Sequence, residues 1–205
     1  MSRLRPLPAS FYRRPAETVA RDLLGRYLIH EVDGERLTLR LVETEAYLGA
    51  SDRASHAWGD RRTPRNESLY LVGGHAYVYL IYGLHYCLNA VTGDAGVGSA
   101  VLLRAGEPVE GEERMRENRG WPRVPKPGDL AGGPGKICQA LAIGRDLDGV
   151  LLTGPPLYIS RGEPVPEEDL VASSRIGVDY AGDAALWPLR FSVRGHRHVS
   201  KPWPK

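Results

Sequence analysis

Two glutamates and a tyrosine interrupt a stretch of sequence that otherwise has the pattern of a buried strand. In LTLRLVETEAYLG, residues 37–49, leucines occupy every second position from Leu37 to Leu41. Alternate residues of a strand share one face, so the pattern predicts that Glu43, Glu45 and Tyr47 follow the leucines on that face. A buried carboxylate is costly unless it is paired or functional. Glu45 is therefore a candidate general base and Glu43 a candidate ion-pair partner of an arginine, unless the strand ends near Leu41 and both lie at a solvated edge.

Aromatic and basic side chains in the following segments could bind a flat or anionic ligand. On a strand, Tyr77 and Tyr79 point to one face, where they form either a core aromatic stack or flat surfaces on which bases stack. His56 lies in a loop beside the basic segment DRRTPRN, residues 60–66, where a histidine is ordinarily only a surface residue. Arg104 ends the apolar run VLLR, so we predict that a carboxylate anchors its head group. Half of the ten tyrosines lie between positions 70 and 86, namely Tyr70, Tyr77, Tyr79, Tyr82 and Tyr86.

The segment GGPGK, residues 132–136, resembles a phosphate-binding loop only in part. The full pattern requires Gly at position 130 and Ser or Thr at 137, where this chain has Leu130 and Ile137. We predict instead that a helix begins here and that Lys136 near its start suits a single phosphate. The sequence has no dinucleotide fingerprint, and its two cysteines form no CxxC motif. It therefore predicts neither a structural zinc site nor a disulfide scaffold.

Length and charge indicate one globular domain, residues 1–205, with a polarised surface. The 42% hydrophobic and 25% charged content is ordinary for a globular protein, and the net charge is only +2. Only four of the 27 Lys and Arg residues are lysine, and the rest are arginine. Arginine is suited to bidentate phosphate contacts, but a GC-rich genome would explain the same bias equally well. No acidic residue follows Asp183, and the tail after it contains Arg190, Arg197 and Lys205. Acidic residues are concentrated instead in EPVEGEERMRE at 107–117, which we predict to be a solvated helix start. Segregated charge of this kind is consistent with a polyanion-binding face.

The order of predicted elements favours an α+β fold: a single domain with a curved, mostly antiparallel sheet and several surrounding helices. A hairpin with Asp33-Gly34 as its turn leads into the glutamate strand. No apolar run is long enough to span a bilayer and no secretory signal is visible, so we expect an intracellular, soluble protein. Helices are predicted over 15–25 and 134–144, and further strand regions over 75–91, 99–105, 149–160 and 188–195.

These stretches together resemble the mammalian-type alkyladenine (3-methyladenine) DNA glycosylase family, in a compact form like its bacterial members. The motifs are VETEAYLG, SHAWGDRRTPRN, YVYLIYGLHYCLN, AVLLRAGEP, GGPGKICQALAIG and RIGV…PLRFSVRG, in order over about residues 10–200. The resemblance implies an enzyme that flips a damaged purine out of double-stranded DNA and hydrolyses its N-glycosidic bond without a lyase step. It implies no cofactor and no metal, a monomer, and a cytoplasmic, nucleoid-associated location in a bacterium or a nuclear one in a eukaryote.

The resemblance also implies a role for each matching residue. Glu45 matches the general base, and Arg104 and the backbone carbonyl of Ile176 match the groups that hold the attacking water. Asn89 matches the residue that excludes guanine, and Tyr82 matches the wedge that fills the gap in the duplex. His85 departs from the pattern, because the family carries an aromatic residue beside the wedge. The resemblance implies that Tyr47, His56 and Tyr79 form the walls of the base pocket, that the His56 amide reads the purine edge, and that Thr63, Lys136 and Arg145 contact the DNA backbone. The tyrosine pattern adds Tyr77 to the predicted pocket, and the basic segments add Arg65 and Arg197 to the predicted DNA contacts.

Two other functions are compatible with the same scaffold. A non-catalytic binder of damaged or distorted DNA would be expected to lack Glu45 or Arg104, and both are present. A bifunctional glycosylase/lyase needs an amine nucleophile. Lys136 is the only lysine in a predicted helix or strand, and its place at a helix start argues for a phosphate contact.

Overall fold

An antiparallel sheet forms the centre of the molecule, with short helices packed against it. The computed structural model describes residues 5–120 and 126–204. Its α-helices are α1 (Ala9–Tyr12), α2 (Ala16–Leu23), α3 (Glu112–Asn118) and α4 (Pro134–Ala140). Its strands are β1 (Tyr27–Val32), β2 (Glu35–Tyr47), β3 (Ala76–Ile81), β4 (His85–Thr92), β5 (Ser99–Glu110), β6 (Leu157–Ser160), β7 (Leu170–Ser173) and β8 (Arg190–Val193). Short 3-10 segments lie at Gly49–Ser51, Trp58–Asp60, Glu67–Tyr70, Arg145–Leu147, Glu167–Asp169 and Asp179–Leu186.

The strand order confirms the predicted α+β class with a curled antiparallel sheet. Within the described ranges the sheet has eight strands. Six of them follow the order β3-β4-β5-β2-β1-β6, and off this path β8 pairs with both β2 and β7. Every strand pairing is antiparallel. The predicted turn at Asp33-Gly34 is also confirmed, since both residues have positive φ, as a two-residue hairpin turn requires.

A pair of register irregularities between β2 and β5 decides where the functional side chains point. The register leaves Val42 of β2 and Arg104 of β5 without a directly opposed partner. Before Val42, the odd-numbered leucines of β2 pack in the main core, the largest cluster of buried apolar side chains in the described residues. After Val42, the even-numbered residues face that core: Ala46 lies in it, and Thr44 donates a hydrogen bond to the Ala20 carbonyl of α2. An extra residue of this kind re-aims the side chains that follow. The core-facing positions of β2 therefore change from odd to even.

The structure overturns both sequence predictions of where the two glutamates lie. Glu43 and Glu45 lie on the face opposite to the leucines, so the prediction of a shared face is wrong, because alternation does not reveal a bulge. Neither residue has any exposed surface, so the alternative of a solvated edge is wrong as well. The strand continues to Tyr47, and a second layer of loops covers its far face.

Several predicted elements are shorter or longer than expected. The strand region 75–91 is a hairpin of β3 and β4, and the helix from Pro134 ends at Ala140. Strand β5 runs on to Glu110, so the acidic segment starts in the sheet and only its second half is the helix α3. The pattern missed α1 and β7, which have only four residues each. No helix among residues 5–120 and 126–204 combines the length and apolar character needed to cross a membrane.

Candidate active site

A cavity of about 330 Å³ opens on the face of the sheet opposite to the main core. Register explains why residues far apart in sequence meet there. Glu45 is paired with Leu102, Leu102 with Asn89, and Asn89 with Tyr77, which forms a row across four strands. Loops contribute the rest of the lining, including His56 and Ile176. The predicted residues Tyr47, Tyr79, Tyr82 and Arg104 also line this cavity.

Glu45 lies at the buried end of this row, directly behind the cavity lining, and three donors from residues that line the cavity converge on its carboxylate. Tyr47 Oη donates to Oε2 at 2.9 Å, Arg104 Nη1 to Oε2 at 3.2 Å, and the Ile176 amide to Oε1 at 2.8 Å. An ionised carboxylate only accepts hydrogen bonds, so three donors suit that form. Ile176 thus contacts Glu45 through its amide nitrogen, a contact that differs from the carbonyl role which the family resemblance implies.

Arg104 joins Glu45 to a second, wholly buried ionic network centred on Glu43. Arg104 Nε and Arg190 Nε donate to Glu43 Oε1 at 2.9 and 2.8 Å. Ser200, in the C-terminal tail, donates to the same carboxylate through its amide at 2.6 Å and its hydroxyl at 2.8 Å. Burial opposes the charge of Arg104, but Glu45 and Glu43 more than offset it and raise the pKa of the guanidinium. The predicted carboxylate anchor of Arg104 is confirmed, and so is Glu43 as an ion-pair partner.

Aromatic rings form the walls of the cavity. Tyr77 and Tyr79 stack with centroids 5.3 Å apart, and the His56 ring stands edge-on to Tyr79 at 4.6 Å. His56 Nδ1 lies 2.8 Å from the Tyr77 hydroxyl. The prediction of a core aromatic stack is confirmed for Tyr77, which belongs to a small buried cluster. Tyr77 and Tyr79 also line the cavity, and base stacking on them stays a prediction.

These walls are uncharged at neutral pH. Burial, followed by the charges of Arg65 and Arg61, lowers the pKa of His56 although the ring stays open to solvent at the cavity mouth. Burial raises the pKa of Tyr79 and Tyr77 above the ordinary tyrosine value. A planar ligand would therefore meet neutral rings at every wall.

Asn89 is buried in the cavity wall with a fixed orientation. Its Nδ2 donates to the Tyr77 carbonyl at 3.0 Å, across the β3–β4 pair. The adjacent thiol of Cys87 has a pKa that burial raises to about 11, so it is neutral as well. The cavity thus presents one rigid side-chain amide and the Arg104 guanidinium among mainly apolar and aromatic groups. In the described part of the chain no group of three or more His, Cys, Asp or Glu side chains could hold a metal ion.

Tyr82 projects from the β3–β4 hairpin tip beside the cavity. Its side chain is 83% exposed and its φ of 54° is in the left-handed region, which a bulky residue rarely adopts. Neighbouring Leu84 is 74% exposed. A strained, exposed aromatic residue is a hypothesis of function, because neither feature benefits the fold.

The predicted DNA-backbone residues do not all lie together. Thr63 and Arg65 line a cleft that adjoins the cavity and shares His56 and Tyr77 with it. Lys136, in the first turn of α4, donates to the Gly128 carbonyl at 3.2 Å, and Arg145 donates to the Val78 carbonyl at 3.1 Å.

The basic tail is less uniform than its sequence indicated. Arg197 lines two other cavities, formed with the tail, rather than the cavity of Glu45. Arg190 is buried on Glu43 and so is not available to an external anion. Lys205 lies outside the described residues.

Sequence reasoning missed one buried ion pair beside the cavity, between Arg175 and Asp52. Both side chains are fully buried and joined by two hydrogen bonds. Arg175 is the first residue of the motif RIGV, but its structural role follows from its ion pair with Asp52, which is 123 positions away in the sequence. It also missed Tyr180, an exposed ring on the cavity rim.

Comparisons with known proteins agree with the resemblance seen in the sequence. A model of the family described as methylpurine-DNA glycosylase matches residues 10–197. A protein of Methanocella arvoryzae is 49% identical over 199 residues, covering 97% of this chain and 97% of the relative. A protein of Desulfitobacterium hafniense is 43% identical over 202 residues, covering 96% of this chain and 99% of the relative. A protein of Myxococcus xanthus is 48% identical over 198 residues, covering 97% of this chain and 95% of the relative. All three are named provisionally as 3-methyladenine DNA glycosylases. With nearly its whole length matched by the family model and by these relatives, the chain belongs to the methylpurine-DNA glycosylase family.

Proposed function

We propose that this protein is a DNA repair glycosylase that flips alkylated or deaminated purines out of duplex DNA and hydrolyses their N-glycosidic bonds. Its substrates are of the 3-methyladenine, hypoxanthine and ethenoadenine class. The observation that carries the proposal is the buried carboxylate of Glu45 at the end of an aromatic cavity, held by Tyr47, Arg104 and Ile176. Family membership supplies the reaction class, and the carboxylate supplies the base that this reaction needs.

The proposed chemistry is a displacement by water at the sugar carbon C1′. Glu45 accepts a proton from the water while the water oxygen bonds to C1′ and the bond from C1′ to the purine nitrogen breaks. The transition state resembles an oxocarbenium ion, and the negative charge of Glu45 also stabilises it. A cationic alkylated purine takes the bonding electron pair and leaves as a neutral base, so it needs no acid. A neutral purine such as hypoxanthine or ethenoadenine must also gain a proton, from a general acid or from water, as it takes the electron pair and leaves.

The aromatic walls favour damaged purines over normal ones. The neutral rings of Tyr47, Tyr79 and His56 provide faces for a planar base, and tyrosine rings attract a positively charged one. Asn89, fixed by the Tyr77 carbonyl, is suited to crowd the 2-amino group of guanine. Extrusion is required because the enzyme cannot reach the bond inside the base stack.

Surface features support the binding of duplex DNA, and we propose that the protein acts as a monomer. Tyr82 fills the space that the flipped base leaves, and Arg65 at the adjoining cleft contacts phosphates. Lys136 does not line the cavity of Glu45. Its position thus favours hydrolysis without a lyase step. The remaining proposed phosphate contacts are Thr63, Arg145 and Arg197.

Chromatographic detection of free bases from alkylated, deaminated and etheno-adduct duplexes tests the proposal. The wild-type protein is expected to release damaged purines and leave abasic sites. Glu45→Gln should lose about 10²–10⁴-fold in single-turnover rate, as is typical when a general base is removed. It should still bind duplexes with an abasic analogue, since no phosphate contact changes.

Glu113→Gln serves as the matched control, because Glu113 is exposed on α3. It should excise at the wild-type rate. Near wild-type excision by Glu45→Gln would remove the role of Glu45. A wild-type protein that binds lesions but releases no base from any duplex would instead be a non-catalytic binder of damaged DNA.

A further inference from the structure

We infer that Arg175 is a positioning residue that holds Tyr47 and the Ile176 amide in place around Glu45. The inference rests on the proposed function, because it assigns Arg175 to the site at which Glu45 acts. Arg175 is fully buried on Asp52 and is not among the residues that line the cavity. Its influence passes through the residues that do.

The first observation is a rigid, fully buried ion pair. Arg175 Nη1 and Nη2 donate to the two carboxylate oxygens of Asp52 at 2.5 and 2.8 Å, and the same two nitrogens donate to the carbonyls of Ala46 and Ala184, each at 3.0 Å. Burial opposes the charge, but the hydrogen bonds and charge of Asp52 more than offset it and raise the pKa of Arg175. A planar guanidinium held at four points has one orientation.

The second observation is that this guanidinium backs an aromatic wall of the cavity. Its central carbon lies 4.8 Å from the centroid of the Tyr47 ring. Because Tyr47 lines the cavity and Arg175 does not, the guanidinium stacks on the side of the ring turned away from a bound base. The Tyr47 hydroxyl donates to Glu45. A tilt of this ring would therefore disturb both the wall and the carboxylate.

The third observation is that the pair ties together the chain segments that enclose Glu45. Ile176, the residue after Arg175, donates its amide to Glu45 Oε1 at 2.8 Å. Asp52 accepts the amides of Leu48 at 3.1 Å and Ala54 at 3.0 Å, which fixes the loop between Tyr47 and His56. One ion pair thus sets the relative positions of the end of β2, this loop and the segment of Ile176.

Lysine cannot replace arginine in this arrangement. Arg175→Lys keeps the positive charge but loses the planar fork and the stacking surface. The expected result is displacement of Tyr47 and the Ile176 amide by a fraction of an ångström to about an ångström. A misplacement of about 1 Å can cost about 10²-fold in rate. We therefore expect single-turnover excision of ethenoadenine from duplex DNA to fall about 10- to 100-fold.

The experiment separates positioning from folding by measuring two quantities on the same preparation. Titration with a duplex that contains an abasic analogue counts the binding-competent molecules, and the single-turnover rate constant reports how well each of them works. A merely destabilised protein has fewer competent molecules with a wild-type rate constant. A mispositioned site has a full count with a lowered rate constant, which is the result expected for Arg175→Lys.

Two further variants complete the test. Asp52→Asn keeps the shape of the pair without its charge and should show a smaller drop in the same rate constant. Arg26→Lys changes a partly buried arginine that does not line the cavity and that donates to the carbonyls of Asp22 and Gly162. It should leave the rate constant unchanged.

An unchanged rate constant in Arg175→Lys and Asp52→Asn, with an active wild type, overturns the positioning role alone. So does failure of both variants to fold, since the pair would then serve the whole fold. An inactive wild type overturns the proposed function and this inference with it.

Discussion

Glu43 and Glu45 are two residues apart on one strand, and we predict opposite consequences when each is changed to glutamine. Glu43 accepts four hydrogen bonds, from Arg104, Arg190 and twice from Ser200. In Glu43→Gln the amide oxygen can still accept at the Oε1 position. The NH2 group then occupies the Oε2 position and faces the Ser200 amide, a second donor, at a site where the native distance is 2.6 Å.

The magnitude follows from the burial of the network. Glu43 is completely buried, and the exposed fractions of Arg104 and Arg190 are 6% and 3%. Removing one partner of a buried ion pair costs about 3–5 kcal/mol. Here Arg190 loses its carboxylate partner, whereas Arg104 keeps Glu45. In a chain of this size 1 kcal/mol corresponds to about 2–4 °C, so the melting temperature should fall by about 6–20 °C.

Thermal unfolding followed by circular dichroism measures this effect, with Glu113→Gln as a surface control expected within about 0.5 kcal/mol of wild type. Well below its melting temperature, Glu43→Gln should excise bases within about tenfold of the wild-type rate, whereas Glu45→Gln should lose about 10²–10⁴-fold. A melting temperature within 3 °C of wild type, or a folded Glu43→Gln that excises nothing, would refute the division between a structural and a chemical glutamate.

Three other predictions concern the cavity and its rim. Tyr82→Gly should keep the wild-type melting temperature, since glycine tolerates the positive φ there. In binding assays it should lose more affinity for lesions in duplex DNA than for lesions in a single strand, and equal losses on both would exclude a wedge. Asn89→Ser should admit some 7-methylguanine release, and a variant that is only slower, with the same ranking of lesions, would make Asn89 structural. The pKa of His56 is lowered from 6.5 in the folded state, so its neutral form contributes stability that is complete above pH 6.5 and is lost as the pH falls below that value. Urea unfolding of wild type and His56→Gln at pH 7.5 and 5.5 checks this, because the variant should show a smaller loss in acid.

The types of the candidate residues could be recognised from local sequence. A carboxylate in an apolar strand, an arginine at the end of VLLR and two tyrosines at alternate positions are visible within a few residues. Periodicity and turn chemistry also predicted the first hairpin and the α+β class, because both depend on neighbours along the chain. The family resemblance then added roles that spacing alone does not assign.

Tertiary structure decided which face each of these residues occupies and what holds it there. The irregularities at Val42 and Arg104 reverse the alternation of β2, and a bulge depends on the partner strand rather than on the residues before it. Arg175 and Asp52 are 123 positions apart, and Glu43 and Ser200 are 157 apart. Local sequence patterns carry no information on pairs at such separations, because only the curled sheet and its covering loops bring the partners together. The sequence alone thus determined which groups are available for chemistry, and the packing of distant segments determined which of them meet.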